Sequence, residues 1–271
     1  MHKYKRAISN DVGQGVSPYL SPPKSASSED ISMSSFPQVR TSALEFPSTI
    51  IRLMGISPPE GMPPPNAEIL AKFNPSAVVM VIIDNFGLFE AVVYKPEAMI
   101  KNLEALALIE TDDPYAIPLM TALLRPLDGF HIMRHARNYG KSVKLICREE
   151  DTDALGFDSG ITVHKRDDMA TYIEATKHIF KTEVLYLHFL DFESLYAQYG
   201  HRTPPKTLLE KIVRRTDNWV KVLLKQARVG TLFIVIGNHG RHPIPLDYEG
   251  KLAEWRKANA PIAMMFQKRS E

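Results

Sequence analysis

The sequence predicts an α/β fold in which a mainly parallel sheet carries helices on both faces. From about residue 75 onward, short apolar runs alternate with amphipathic helical segments. The run at 77–84 (AVVMVIID) is apolar at almost every position, as in strands that are buried on both faces of a parallel sheet. The run at 231–237 (TLFIVIG) is followed at once by polar residues, and ligands of such sheets bind beyond the carboxyl ends of the strands.

The segment before residue 75 has a different composition. Residues 1–45 are rich in Ser and Pro and show no sustained period, which predicts an arm ahead of a single α/β domain at 46–271. Within 46–55 (FPSTIIRLMG) we expect a short helix with Ser48 or Thr49 as its N-cap and Gly55 at its end.

The remaining elements follow in order along the chain. Apolar runs predict strands at 77–84, 142–147, 160–165, 183–191, 231–237 and 261–266. Helical spacing of apolar residues predicts helices at 96–109, 129–140, 167–179 and 204–228.

Composition limits the classes of protein to which this chain can belong. Its 271 residues carry a formal net charge of +2, so no overall field favours nucleic acid or an anionic membrane. The single cysteine, Cys147, excludes an intramolecular disulfide, and its apolar strand predicts a core position. No apolar run approaches the length of a membrane span, and no secretory signal pattern opens the chain. These observations predict a cytoplasmic protein and leave its oligomeric state open.

Polar residues cluster where the predicted strands end. Each has an ordinary explanation as a turn former or helix cap, and His188, inside an apolar strand, is interpreted as a core histidine. Together, however, the strand-end residues can converge on one crevice, where carboxylates and imidazoles suit zinc, manganese or a similar divalent ion. The residues concerned are Asp84, Asp191, Glu193, Asn238, His239 and His242, with Thr111 and Asp112 in a loop between the first two predicted strands.

Three motifs in this order resemble those of the alkaline phosphatase superfamily, which includes nucleotide pyrophosphatases, sulfatases and cofactor-independent phosphoglycerate mutases. They are VVMVIIDNFG (78–87), YLHFLDFESLYAQYG (186–200) and TLFIVIGNHG (231–240). The resemblance covers about residues 75–271 and implies an alkaline phosphatase-like core. It also implies that Asp84 and His239 are metal ligands.

The chain departs from the family pattern at several of the implied positions. The family's Asp-His-Gly is Asn238-His239-Gly240 here, so a neutral carbonyl donor replaces an anionic ligand. The second metal of the family takes an Asp and a His four residues later, and those places hold Glu193, for which Asp191 is a substitute, and Ala197. The family's last histidine, shortly before the final strand, is missing too, and His242 or His201 is its substitute. The place of the family's Thr or Ser nucleophile holds Asp112, so that either the adjacent Thr111 attacks or Asp112 is itself a ligand.

Two functions follow from this pattern. The first is a hydrolase of phosphate esters or phosphodiesters that uses one or two divalent ions and acts on a phosphate-containing small molecule. The alternative is an inactive member of the same fold that binds a metal, a small ligand or a protein partner. Ala197, Asn238 and Asp112 favour the alternative.

Overall fold

Within the described residues, eight strands form one sheet. The computed structural model describes residues 37–111, 123–151, 155–156, 158–200, 202–238, 251, 253 and 260–270. The strands are β1 (Gln38–Ser42), β2 (Ala77–Ile83), β3 (Ala105–Glu110), β4 (Val143–Arg148), β5 (Thr162–Lys165), β6 (Val184–Phe189), β7 (Thr231–Gly237) and β8 (Ile262–Gln267). The helices are α1 (Glu45–Leu53), α2 (Ala67–Lys72), α3 (Leu88–Tyr94), α4 (Glu97–Asn102), α5 (Ile132–Asn138), α6 (Asp168–His178), α7 (Asp191–Tyr199) and α8 (Lys206–Gln226).

The order of the strands across the sheet places β2 near its centre. The order is β1-β3-β8-β7-β2-β6-β4-β5, and only β8 runs antiparallel to its neighbours. The central strand β2 lies between β6 and β7, and all seven of its residues are buried. The predicted α/β class with a mainly parallel sheet is therefore confirmed.

Both faces of the sheet are covered by helices. Alternate residues of β2 point to opposite faces, so Met80 packs with one core cluster and Val81 with the other. The first cluster includes Ile50 of α1, Ile69 of α2 and Met133 of α5. The second includes apolar residues of α4, α6, α7 and α8: Met99, Ala175, Phe192 and Val220.

One predicted helix is wrong in its second half. Residues 96–109 were expected to be a single helix, but α4 ends at Asn102 and residues 105–110 form β3. The sequence ALALI is too short for its period to separate a strand from a helix. Its pairing with β1 and β8 makes it a strand.

Two further differences concern the start of the described chain. Strand β1 lies inside the segment 1–45 that the sequence predicts as an arm, and it pairs in parallel with β3. Helix α1 begins at Glu45, before the expected caps Ser48 and Thr49, which are buried within it. Gly55, with a φ of 74°, follows the end of α1 as expected.

No helix in the described ranges is long and apolar enough to cross a membrane.

Candidate functional site

The candidate site lies at the carboxyl ends of β2, β6 and β7. Asp84 directly follows β2 and Asn238 directly follows β7, and these strands pair in register up to Ile83 and Gly237. The amide Nδ2 of Asn238 donates a hydrogen bond of 2.8 Å to Oδ1 of Asp84. Both residues are buried, with 8% and 0% of their surfaces exposed. The structure therefore brings together two of the predicted ligands.

The turn that carries Asp84 is held tightly against the end of β7. Asn85 has a φ of 53°, in the left-handed region, which turns the chain sharply after β2. A Cβ placed on Gly237 would lie 1.9 Å from the carbonyl oxygen of Phe86. Only glycine fits there, so Gly237 permits the close approach that sets Asp84 beside Asn238.

His188 lies between two carboxylates at the same end of the sheet. Its Nε2 is 3.2 Å from Oδ2 of Asp84, an ion-pair contact rather than a well-aligned hydrogen bond. Its Nδ1 lies 3.0 Å from Oδ2 of Asp151, in the turn after β4, and forms a hydrogen bond with it. We call Asp84, His188 and Asp151 the carboxylate–histidine cluster.

The cluster holds a buried positive charge. Complete burial lowers the pKa of His188, but Asp84 and the hydrogen bond to Asp151 outweigh this effect and raise the pKa to about 10. At neutral pH the ring is therefore an imidazolium that partly neutralises both carboxylates. The interpretation of His188 as a core histidine is correct for its burial, but it misses this ionic role.

Two further titratable side chains surround the cluster and stay uncharged. Burial, reinforced by Asp151, raises the pKa of the Cys147 thiol to about 12. Burial, reinforced by Asp84, raises the pKa of Tyr186 well above its ordinary value. Neither is a nucleophile at neutral pH, and Cys147 lies in the core as predicted.

Asp191 is engaged by arginines. Its Oδ1 accepts a hydrogen bond of 2.8 Å from Arg148, and its Oδ2 accepts one from Arg215. The buried Asp168 also binds Arg148, at 2.9 Å, and accepts hydrogen bonds from the backbone N–H groups of Leu190 and Asp191. Both oxygens of Asp191 thus face guanidinium groups, an arrangement that the sequence did not predict.

Glu193 is tied to the turn after β2. It lies in α7, and its Oε2 accepts a hydrogen bond from Nδ2 of Asn85, the residue next to Asp84. Glu193 is thus close to the candidate site in the fold, and its carboxylate accepts the described hydrogen bond from the side-chain amide of Asn85.

The predicted nucleophile belongs to a more distant strand. Thr111 is half-buried at the end of β3, and β8 and β7 lie between β3 and β2. Three inter-strand spacings amount to about 14 Å. Asp112, His239 and His242 lie outside the described residues, so their roles stay predictions. Within the described part of the chain, no group of three His, Cys, Asp or Glu side chains is arranged to hold a metal ion.

His188, Asp151, Arg148 and Asp168 are the site residues that sequence reasoning missed. A histidine one residue before the end of a buried strand is a weak signal, but it places the ring near the sheet edge where ligands bind. The partners of His188 come from β2 and from the turn after β4, and no local pattern in the sequence links them.

The resemblance of this chain to solved structures is one of fold. No family model and no curated protein sequence matches it. A 2-O GAG sulfatase is 10% identical over 73% of this chain and 66% of its own, with a TM-score of 0.52. A provisionally assigned sulfatase from Bacteroides thetaiotaomicron is 9% identical over 71% of this chain and 64% of its own, with a TM-score of 0.51. A protein in the alkaline phosphatase superfamily from Vibrio parahaemolyticus is 13% identical over 72% and 60%, with a TM-score of 0.48.

The chain therefore has the fold of the alkaline phosphatase superfamily, as the sequence motifs predicted. It spans less than two thirds of the length of each of these three structures.

Proposed function

We propose that this protein hydrolyses phosphate esters or phosphodiesters with the help of a single divalent ion, zinc or manganese, held beside Asp84. The observation that carries the proposal is the contact between Asp84 and Asn238, 2.8 Å apart at the carboxyl ends of adjacent central strands. His239 follows Asn238 directly in the sequence. In the superfamily that the motifs resemble, the corresponding positions hold a metal.

The donor set fits one ion better than two. A carboxylate, an amide oxygen and an imidazole are ordinary ligands for zinc or manganese, and Asp112 would add a second carboxylate. At the second position the chemistry does not fit, because Ala197 has no donor atom and Asp191 is paired with Arg148 and Arg215. We therefore narrow the expectation of one or two ions to one.

Each group at the site would then have a separate role. A divalent ion supplies positive charge against the phosphoryl oxygens. Asp84, held in place by His188, and Asn238 would fix the geometry of that end of the site. Because Thr111 lies about three strand spacings from β2, water would be the nucleophile. Its oxygen would bond to phosphorus as the P–O bond to the leaving group breaks, and the leaving oxygen would take up the proton that the water loses.

The test combines metal content with turnover. Purified protein is analysed for bound metal and is assayed with nitrophenyl phosphate, bis-nitrophenyl phosphate and nitrophenyl sulfate, with added zinc or manganese. The variants are Asp84→Asn, His239→Ala and Thr111→Val, with Glu110→Gln as an exposed control next to Thr111. We expect metal in the wild type and loss of turnover in Asp84→Asn and His239→Ala, but no loss in Thr111→Val or in the control. Wild-type protein that contains metal but turns over none of the esters would contradict the proposed hydrolase activity.

A specific observation favours the alternative, a catalytically inactive binding protein. Asp84, Asp191 and Glu193 each have a protein partner already: His188, the two arginines and Asn85. If the wild type contains neither metal nor activity, the cluster is a structural replacement for a metal centre. In that case the role of the protein lies in binding.

A further inference from the structure

A cavity of about 830 Å³ lies away from the candidate site. It is bounded by three parts of the chain: the segment 94–102 with α4, one side of α8, and residues 267–270 at the end of β8. Because β8 is antiparallel to β7, Gln267 pairs with Leu232 at the beginning of β7, whereas Asn238 follows the other end. The cavity is therefore on the amino-terminal side of the parallel strands, about 20 Å of strand away from Asp84. We call it the basic groove.

The lining of the groove is strongly cationic. It contains seven lysines and arginines but only two acids, Glu97 and Asp217, whereas the whole chain has a net charge of +2. On α8, Arg214, Lys221 and Lys225 are seven and four residues apart, so they form one stripe along the helix. Seven of the 33 lysines and arginines of this protein thus lie on one concave surface.

Most of these cations have no carboxylate partner among the described residues. In the described ranges, no acidic side chain forms an ion pair with Lys95, Lys101, Arg214 or Lys225, and all four are exposed. Lys221, also exposed, interacts electrostatically with Asp217. Like charges around one concavity repel each other, and a bound anion relieves that repulsion.

The walls of the groove are fixed by the acids that lie nearby. Asp217 of α8 is buried, and its two oxygens accept hydrogen bonds of 2.9 Å from the backbone N–H groups of Ala98 and Met99 in α4. Glu104 accepts a hydrogen bond of 2.7 Å from the backbone N–H of Gln267 and pairs with Arg269. These contacts join α4 to α8, and Glu104 to the end of β8 and to Arg269 beyond it, so the groove is formed before any ligand arrives.

We infer that the basic groove is a binding site for a small polyanion with several phosphate groups. A volume of about 830 Å³ is in the range of small-molecule sites and suits an oligophosphate or a nucleotide. Lysines dominate the lining, and lysine binds phosphate as a point charge without requiring one planar geometry. This site is independent of the proposed hydrolase, because no residue of the groove belongs to the carboxylate–histidine cluster.

The test is calorimetric titration of the full chain with inorganic tripolyphosphate at low salt. The groove variant is Lys221→Gln/Lys225→Gln. The control variant is Lys181→Gln/Lys211→Gln, which removes the same charge from two exposed lysines outside the groove. We expect one bound tripolyphosphate per chain, binding weakened about tenfold or more in the groove variant, and a change of less than about twofold in the control.

Three results would overturn the inference. The wild type fails to bind tripolyphosphate, the two variants weaken binding equally, or single-stranded RNA binds far more tightly than tripolyphosphate and loses affinity in the groove variant. The last result would make the groove a nucleic-acid surface. Thermal unfolding of both variants checks that any loss of binding is not a loss of fold.

Discussion

The carboxylate–histidine cluster and the basic groove deal with charge in opposite ways. In the cluster, a fully buried imidazolium lies within 3.2 Å of one carboxylate and 3.0 Å of another. In the groove, four exposed cations surround a cavity without an acidic partner in the described chain. Burial makes an unpaired charge costly, whereas water solvates an exposed one at little cost. The cluster therefore contributes to folding, and the groove keeps its charge available for a ligand.

The largest expected effect is that of removing the buried charge in His188→Gln. Asp84 and Asp151 would then be buried without the cation between them, and we expect the free energy of unfolding to fall by about 3–5 kcal/mol. Urea denaturation measures it.

The matched control is His178→Gln, because His178 pairs with Glu174 at 3.1 Å on a partly exposed helix face. Its expected cost is below about 1 kcal/mol. If the two substitutions lower the free energy of unfolding by the same amount, the ionic role of His188 is wrong.

The pH dependence of the free energy of unfolding should also differ between the wild type and His188→Gln, with a smaller effect. The pKa of His188 is about 10 in the folded protein and 6.5 ordinarily, so the folded state holds a proton that the unfolded state loses. Its contribution to stability is fully present below pH 6.5 and is lost as the pH rises through 10.

Urea denaturation of metal-free protein at about pH 6 and about pH 9 measures this change. We expect the wild type to lose part of its unfolding free energy between these values and His188→Gln to lose much less. Equal losses in both proteins would assign the dependence to other groups.

The smallest expected effect belongs to the groove. Lys221→Gln/Lys225→Gln removes two exposed charges that support no described ion pair, so the free energy of unfolding should change by less than about 0.5 kcal/mol. The same urea experiment measures it. A loss above about 1 kcal/mol would mean that these lysines stabilise the fold and are not reserved for a ligand.

Most of the sheet could be predicted from the sequence, because a buried strand is a local pattern. The runs at β2, β6 and β7 are apolar at almost every position, and all of their residues are buried. Strand β1 was missed although its burial alternates, with Val39 and Thr41 inward and Gln38 and Arg40 outward. Four or five alternating residues beside a Ser/Pro-rich stretch are too weak a signal.

The site was predicted only in part. Asp84 and Asn238 converge, because both directly follow central strands of a parallel sheet. The same reasoning placed Asp191 with them, but the structure pairs it with Arg148 and Arg215, one from the end of β4 and one from α8. A strand end therefore predicts which edge of the sheet a side chain is on, but not what it contacts there.

The sequence by itself determined the alternating elements, the order of the motifs and the edge of the sheet at which the polar residues gather. These features depend on neighbours a few positions apart, through side-chain period and burial. Only the tertiary structure decided the ionisation of His188 and the existence of the basic groove. His188 owes its charge to Asp84 and Asp151, and the groove combines residues near 95, 221 and 268. Electrostatic interactions act through space, so charges that are scattered along the chain interact strongly only when the fold brings them together.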